Sequence, residues 1–251
     1  MIAPAAEPGA DDGDRDTADR VTQPVGATAR DEAGSTTVSL HFDTAVPDER
    51  ERGLEVASHA ARRGELVVLP TDTVYGLGCD AFSPSGVAAL LAAKGRGRDM
   101  PLPVLVGRPE TIEGLGYGLS KAARDLVEAF WPGALTVVVR GQPSLAWDLG
   151  DAQGTVALRM PLHPVALELL ELVGPMAVSS ANRSGAAPAT TYAEAEAQLG
   201  ESVAVYLDAG PTGEAVPSTI VDVAGPVPRL LRLGAVELDT LRSVVPDLLP
   251  A

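Results

Sequence analysis

From about residue 36 onward, short apolar runs alternate with segments patterned for helices, joined by short connections. Residues 65–69 form one such run, ended by Pro70, and 102–106, 134–140, 155–159 and 176–179 are of the same kind. Residues 203–207, 219–223 and 229–233 continue the series. Runs of this length bounded by breakers read as strands. Between them, Asp48 is placed to cap a helix through the Arg63 region, with Leu54, Ala57 and Ala61 at helical spacing and Gly64 as its stop. Ser83-Pro84 opens a helix to about Lys94, as an N-cap followed by a first-turn proline. Further helices are predicted over 120–130, closed by Trp131-Pro132-Gly133, and over 164–173, 192–199 and 238–245. Interleaving of this kind specifies one α/β domain around a twisted sheet.

The core of that domain must be built from Val, Leu and Ala, because three Phe, two Trp and four Tyr are all the aromatics in 251 residues. Apolar runs such as 66–69 and 137–139 are far shorter than the ~20 residues of a membrane-spanning helix. Residues 1–35 contain no Leu, Phe, Tyr or Trp, and eight acids against Arg15, Arg20 and Arg30 give −5. Such a segment buries too little to offset its ordering entropy, so it is assigned as a disordered acidic tail preceding a domain over 36–251. It lacks the basic start and apolar stretch of a secretory signal, which predicts a cytoplasmic protein. One cysteine, Cys79, and three scattered histidines (His41, His59, His163) supply neither a disulfide nor a structural zinc site. The formal charge of −15 opposes broad nucleic-acid binding, yet leaves room for a small cationic pocket.

Cations are sparse in type as well as number. Only Lys94 and Lys121 are lysines, against seventeen arginines, which sets apart Lys94-Gly95-Arg96-Gly97-Arg98 at a predicted helix end. Glycines let backbone approach a ligand and the cations neutralise phosphate or carboxylate oxygens. The same cations would also complement a negative helix C-terminus. Lys121 reads as a solvated surface residue. Pro70-Thr71-Asp72-Thr73-Val74-Tyr75-Gly76 puts three hydroxyls and a carboxylate at a strand's exit, where ligands of α/β sheets bind. Gly76-Leu77-Gly78-Cys79-Asp80-Ala81 fits a relaxed dinucleotide fingerprint, but polar residues intervene after the strand and no helix opens until Ser83. A standard P-loop and a G-x-S-x-G nucleophile elbow are absent from the sequence. Ser179-Ser180-Ala181-Asn182-Arg183-Ser184-Gly185 follows another strand with groups suited to phosphate oxygens or a base edge, or to a polar turn. Arg159 and Arg232 close two strands and would be costly to bury unpaired. Cys79 reads as a small buried filler.

Taken together these segments resemble the YrdC-like family of threonylcarbamoyl-AMP synthases, from about Leu54 to Ala235. The motifs are P-T-[DE]-T-x-Y-G-L at 70–77, Lys94/Arg96, T-V-A-x-R at 155–159, Ser180/Asn182, S-T-x-V-D at 218–222 and R-x-G at 232–234. The resemblance implies a single YrdC-like domain, a mixed β-sheet flanked by helices with a concave cationic hollow. It implies a nucleotidyltransferase that joins L-threonine, bicarbonate or CO2 and ATP into threonylcarbamoyl-AMP, releasing pyrophosphate. A tRNA threonylcarbamoyl-transfer complex would take the product, and a weak tRNA contact is expected. By motif, Lys94, Arg96, Thr155, Ser180, Asn182 and Arg232 would hold ATP, with Lys94 and Arg96 also catalytic. Thr73, Arg159 and Ser218 would hold threonine, with Arg159 clamping its carboxylate bidentately. Mg2+ would arrive on the triphosphate, without direct protein ligands.

The sequence departs from relatives at Met100, where Asn or Lys is frequent, at Leu105, where a polar residue is frequent, and at Pro188, where Ser is common. Longer members append a second domain, so the single-domain form is expected here. Two other readings fit the residues: a related carbamoyl-adenylate enzyme with a different acceptor, and an RNA- or tRNA-binding module.

Overall fold

The computed structural model describes Met1, residues 38–213 and residues 215–251. The tail assigned to 1–35 lies outside the described residues apart from Met1. The predicted alternation is present as β1 (Leu40–Asp43), α1 (Pro47–Arg62), β2 (Val67–Leu69), β3 (Gly76–Asp80) and α2 (Pro84–Lys94). These are followed by β4 (Val104–Leu105), α3 (Thr111–Leu115), α4 (Lys121–Phe130), β5 (Leu135–Arg140), β6 (Thr155–Arg159) and α5 (Pro164–Val173). The chain continues as β7 (Met176–Ser180), α6 (Tyr192–Leu199), β8 (Val205–Asp208), β9 (Thr219–Asp222), β10 (Arg229–Arg232) and α7 (Leu238–Val244). No helix among the described residues is long and apolar enough to cross a membrane.

Helix ends follow their local chemistry. Ser83 Oγ accepts from Gly86 N at 3.1 Å, so the predicted N-cap is made, and Ser120 Oγ accepts from Ala123 N at 3.1 Å, which makes Ser120 the cap of α4 and not its first residue. Asp48 is not a cap: Val46 holds that position, Pro47 opens the helix and Asp48 sits within its first turn. Proline at N1 fixes φ for the first turn and moves the start one residue upstream of the expected capping residue.

Among the described residues the strands join in one mixed sheet, ordered β1-β8-β2-β3-β7-β4-β6-β5-β9-β10. Side-chain alternation sorts each strand onto two faces. Val68, Leu77, Cys79, Val104, Val137, Leu158 and Ala177 enter one core, packed with Leu90 of α2, Leu126 of α4 and Leu241 of α7. Val67, Leu69, Leu105, Met176 and Val178 enter a second core under Ala57 and Ala61 of α1 and Leu169 of α5.

Gly76–Asp80, not among the predicted strands, forms β3, paired with β2 and β7. Its glycines are steric, not ligand-binding: a Cβ on Gly76 would stand 2.7 Å from Val178 Cγ1, and one on Gly78 would stand 2.9 Å from Val178 Cγ2. That accounts for the fingerprint-like spacing without a dinucleotide. Buried Cys79 is the filler expected, and desolvation pushes its thiol up to about 12.

Candidate active site

The second face is covered only over part of the sheet. In β6, Val156 and Leu158 point into the first core, so Thr155, Ala157 and Arg159 point to the opposite face. Register carries that face to Thr136 and Val138 of β5, Ile220 of β9 and Arg232 of β10. Ala157, Val138 and Ile220 are only half-buried, whereas Leu105, Met176 and Val178 on the same face lie under α1 and α5. Arg159 stands at the boundary between the two halves, paired in register with Leu105.

Arg159 is 7% exposed and fully engaged along one side. Its Nε donates to Gly133 O at 3.0 Å, Nη1 to Thr73 Oγ1 at 3.0 Å and Nη2 to Asp72 Oδ1 at 2.7 Å. Burial lowers its pKa, Asp72 opposes that and the neighbouring Arg232 adds to it. A guanidinium carries five N–H groups, so one on each Nη remains for a ligand. The four polar side chains of 71–75 divide their roles. Thr71 Oγ1 donates to Val74 O at 2.6 Å and Tyr75 Oη to Gly210 O at 2.6 Å, which fixes the loop. Asp72 and Thr73 are the two that meet Arg159.

Arg232 donates from Nε and Nη2 to Ser218 O, at 3.1 and 2.7 Å, and from Nη2 to Ser218 Oγ at 3.1 Å. Ser218 Oγ also lies 2.9 Å from Thr136 Oγ1. The glycine of the R-x-G motif permits this approach: a Cβ on Gly234 would lie 2.6 Å from the carbonyl carbon of Ser218.

The second cationic group sits at the end of α2. Lys94, 4% exposed, donates from Nζ to Ser180 O at 2.6 Å and to Asn182 O at 2.7 Å. Burial, reinforced by Arg96, lowers its pKa to about 8. Arg96 Nη1 lies 3.4 Å from Ser179 Oγ, and its buried Nε has no partner. Asn182 donates its amide N–H groups to Arg183 O and Ala186 O, both at 2.8 Å, while its buried Oδ1 accepts nothing. Both atoms are buried, so each calls for a polar partner that the described residues do not supply.

Two expected residues stand apart. Arg98, third cation of the 94–98 cluster, is exposed and pairs with Asp148 at 2.5 Å and Asp151 at 3.7 Å. It straps its loop to the 148–151 loop instead of joining Lys94 and Arg96. Thr155 starts β6, four residues from Arg159, about 13 Å by strand rise. Its hydroxyl donates to Ala152 O at 2.7 Å, and it lines a cleft of about 410 Å³ with Gln142 and Trp147. Leu105 is buried in the second core beside Arg159, and Met100 is 48% exposed. Among the described residues no group of three or more His, Cys, Asp or Glu is arranged to hold a metal.

Residues 59–234 match the Sua5/YciO/YrdC family model, described as "Telomere recombination". The chain belongs to this family. A Mycobacterium tuberculosis protein, provisionally named a threonylcarbamoyl-AMP synthase, is 61% identical over 81% of this chain and 94% of its own. The Bacillus subtilis threonylcarbamoyl-AMP synthase is 40% identical over 76% of this chain, which spans 56% of that longer relative. The crystal structure of P. abyssi Sua5 complexed with L-threonine superimposes with a TM-score of 0.79 at 32% identity, covering 86% of this chain and 63% of that one. E. coli YciO shares the fold, with a TM-score of 0.70 at 22% identity over 81% of this chain and 97% of its own. The expected family and the mixed α/β architecture are therefore both present.

Proposed function

We propose that this chain is a threonylcarbamoyl-AMP synthase, a nucleotidyltransferase that forms threonylcarbamoyl-AMP and pyrophosphate from L-threonine, bicarbonate or CO2, and ATP. The observation that carries the reading is Arg159, buried at the edge of a sheet face that is only half covered, bonded to Thr73 and close to Arg232, which in turn holds Ser218. The names of the relatives and the threonine complex of P. abyssi Sua5 support it.

In this reading Arg159 takes the threonine carboxylate through the N–H left on each Nη, with Thr73 and Ser218 beside it. ATP lies toward Lys94, Arg96, Ser180, Asn182 and Arg232, and Thr155 extends its site along β6. The carbamate oxygen of N-carboxythreonine attacks the α-phosphorus, and the bond from that phosphorus to the bridging oxygen of pyrophosphate breaks. Both reactants are anions, so the cations offset their repulsion and hold an in-line approach. The donor set is ammonium, guanidinium, hydroxyl and amide, which fits phosphate oxygens and not a divalent cation. Mg2+ would be held by the triphosphate and water, where it neutralises phosphate charge. The product would pass to the complex that modifies tRNA in the cytoplasm.

Pyrophosphate release tests this directly. It is expected only when ATP, L-threonine and bicarbonate are present together. Release that persists without threonine rejects the proposal, and release supported equally by serine, glycine or carbamoyl phosphate assigns a different acceptor.

A further inference from the structure

Asp72 is bonded to the site but has no part in the chemistry above. Its Oδ1 accepts from Arg159 Nη2 at 2.7 Å and from Leu162 N at 2.9 Å, so one carboxylate oxygen is committed to the protein. No described donor reaches Oδ2, and it is not among the buried atoms left without a partner, so solvent reaches it. Thr73 has a similar residual capacity. Thr71 spends its hydroxyl hydrogen on Val74 O, so in the 3.1 Å contact between the two threonine hydroxyls Thr73 donates. Thr73 Oγ1 also accepts from Arg159, and what remains on it is one acceptor lone pair. Two acceptors thus flank the guanidinium, one charged and one neutral.

In an α-amino acid the amino nitrogen is two bonds from the carboxylate carbon. A substrate whose carboxylate rests on Arg159 must therefore place its ammonium at the rim of the same guanidinium. Arg159 and Arg232 would repel a cation there unless an acid stood beside them. We infer that Asp72 reads the α-amino group of the amino-acid substrate through Oδ2, with Thr73 Oγ1 accepting a second N–H. This makes Asp72 a specificity-determining residue, and it rests on the assignment of Arg159 to the carboxylate. Arg159 and Asp72 together select a carboxylate and an ammonium borne on the same carbon.

Calorimetric titration with L-threonine and with 3-hydroxybutanoate, which keeps the carboxylate and hydroxyl but lacks the amine, tests the inference. The wild-type chain is expected to bind threonine at least about tenfold more tightly, the range of a charged hydrogen bond. Asp72→Asn keeps an oxygen for Arg159 and Leu162 but loses the charge. It should weaken threonine at least about tenfold while leaving 3-hydroxybutanoate within about twofold, and Asp72→Glu should recover part of the difference. Equal loss of both ligands in Asp72→Asn would overturn the inference, since Asp72 would then act only by holding Arg159. A wild-type threonine preference near unity would overturn it without recourse to any variant. Wild-type protein that binds neither ligand would instead defeat the amino-acid reading of the site.

Discussion

Lys94 Nζ lies 2.6 Å from the carbonyl oxygen of Ser180, so the end of α2 is tied to the last residue of β7, where the following turn begins, by a buried ammonium. The same nitrogen reaches Asn182 O, and Ser184 N donates back to Lys94 O at 2.9 Å. Lys94 is therefore a brace for this turn and, under the proposed function, also the cation that meets phosphate.

Its lowered pKa, about 8 against 10.5 when exposed, gives two opposed pH dependences. Between those values the unfolded chain binds more protons than the folded one, so the Lys94 contribution to stability rises with pH across that window. Below it, the folded state bears a buried ammonium. Under the proposed function, phosphate binding should run the other way, because the ammonium is lost as pH passes about 8. The KM for ATP is expected to rise on the alkaline side, and Lys94→Arg, always charged, should remove the inflection. An unchanged inflection in that variant would assign it elsewhere.

Arg159 and Asp72 form a buried ion pair, their side chains 8% and 15% exposed. Arg159→Ala removes the cation from a carboxylate that solvent still reaches at Oδ2 and should cost about 1–3 kcal/mol, read from urea unfolding. It should also abolish threonine-dependent pyrophosphate release. Removing both partners should destabilise less than the sum of the single changes, and additivity would show that the two do not interact.

Arg96 and Arg98 should separate cleanly. Arg96 has one long contact and an unpaired Nε, so Arg96→Ala should lower turnover about 100-fold or more with an almost unchanged Tm. Arg98 belongs to an exposed pairing with Asp148 and Asp151, and Arg98→Ala should leave Tm almost unchanged. Its turnover should stay within about threefold of wild type, well short of the loss expected for Arg96. Unfolding of Arg96→Ala would instead mark that residue as structural.

Gly76→Ala should destabilise by about 1–3 kcal/mol, since the new methyl meets Val178 Cγ1 at 2.7 Å. Val178→Ala in the same chain should return part of that loss. Absence of any recovery would place the clash in the backbone.

The order of elements was legible wherever breakers and caps stood in sequence. Pro164 fixes the start of α5 and Ser83 that of α2, and both helices begin where expected. Failure came where tertiary packing overrode local signals. Glycines in β3 look like loop residues until Val178 is seen against them, and β1 and α3 are too short to impose a period. Charges that end apolar strands singled out Arg159 and Arg232, which the fold sets close enough to repel each other. The partnership of Asp72 with Arg159 did not show, because 87 residues separate them and no spacing rule spans that interval. Arg98 misled for the converse reason: neighbours in sequence, Arg96 and Arg98 diverge once Arg98 finds two aspartates.

The half-bare sheet face divides labour within a single layer of strands. Where α1 and α5 lie over it, a poor substitution is punished by proteolysis or aggregation before catalysis is ever tried. Where Ala157, Val138 and Ile220 are only half-buried, a change should cost less stability, and a screen for turnover would notice it first. A library confined to those open positions could thus explore new amino-acid substrates with few casualties from misfolding.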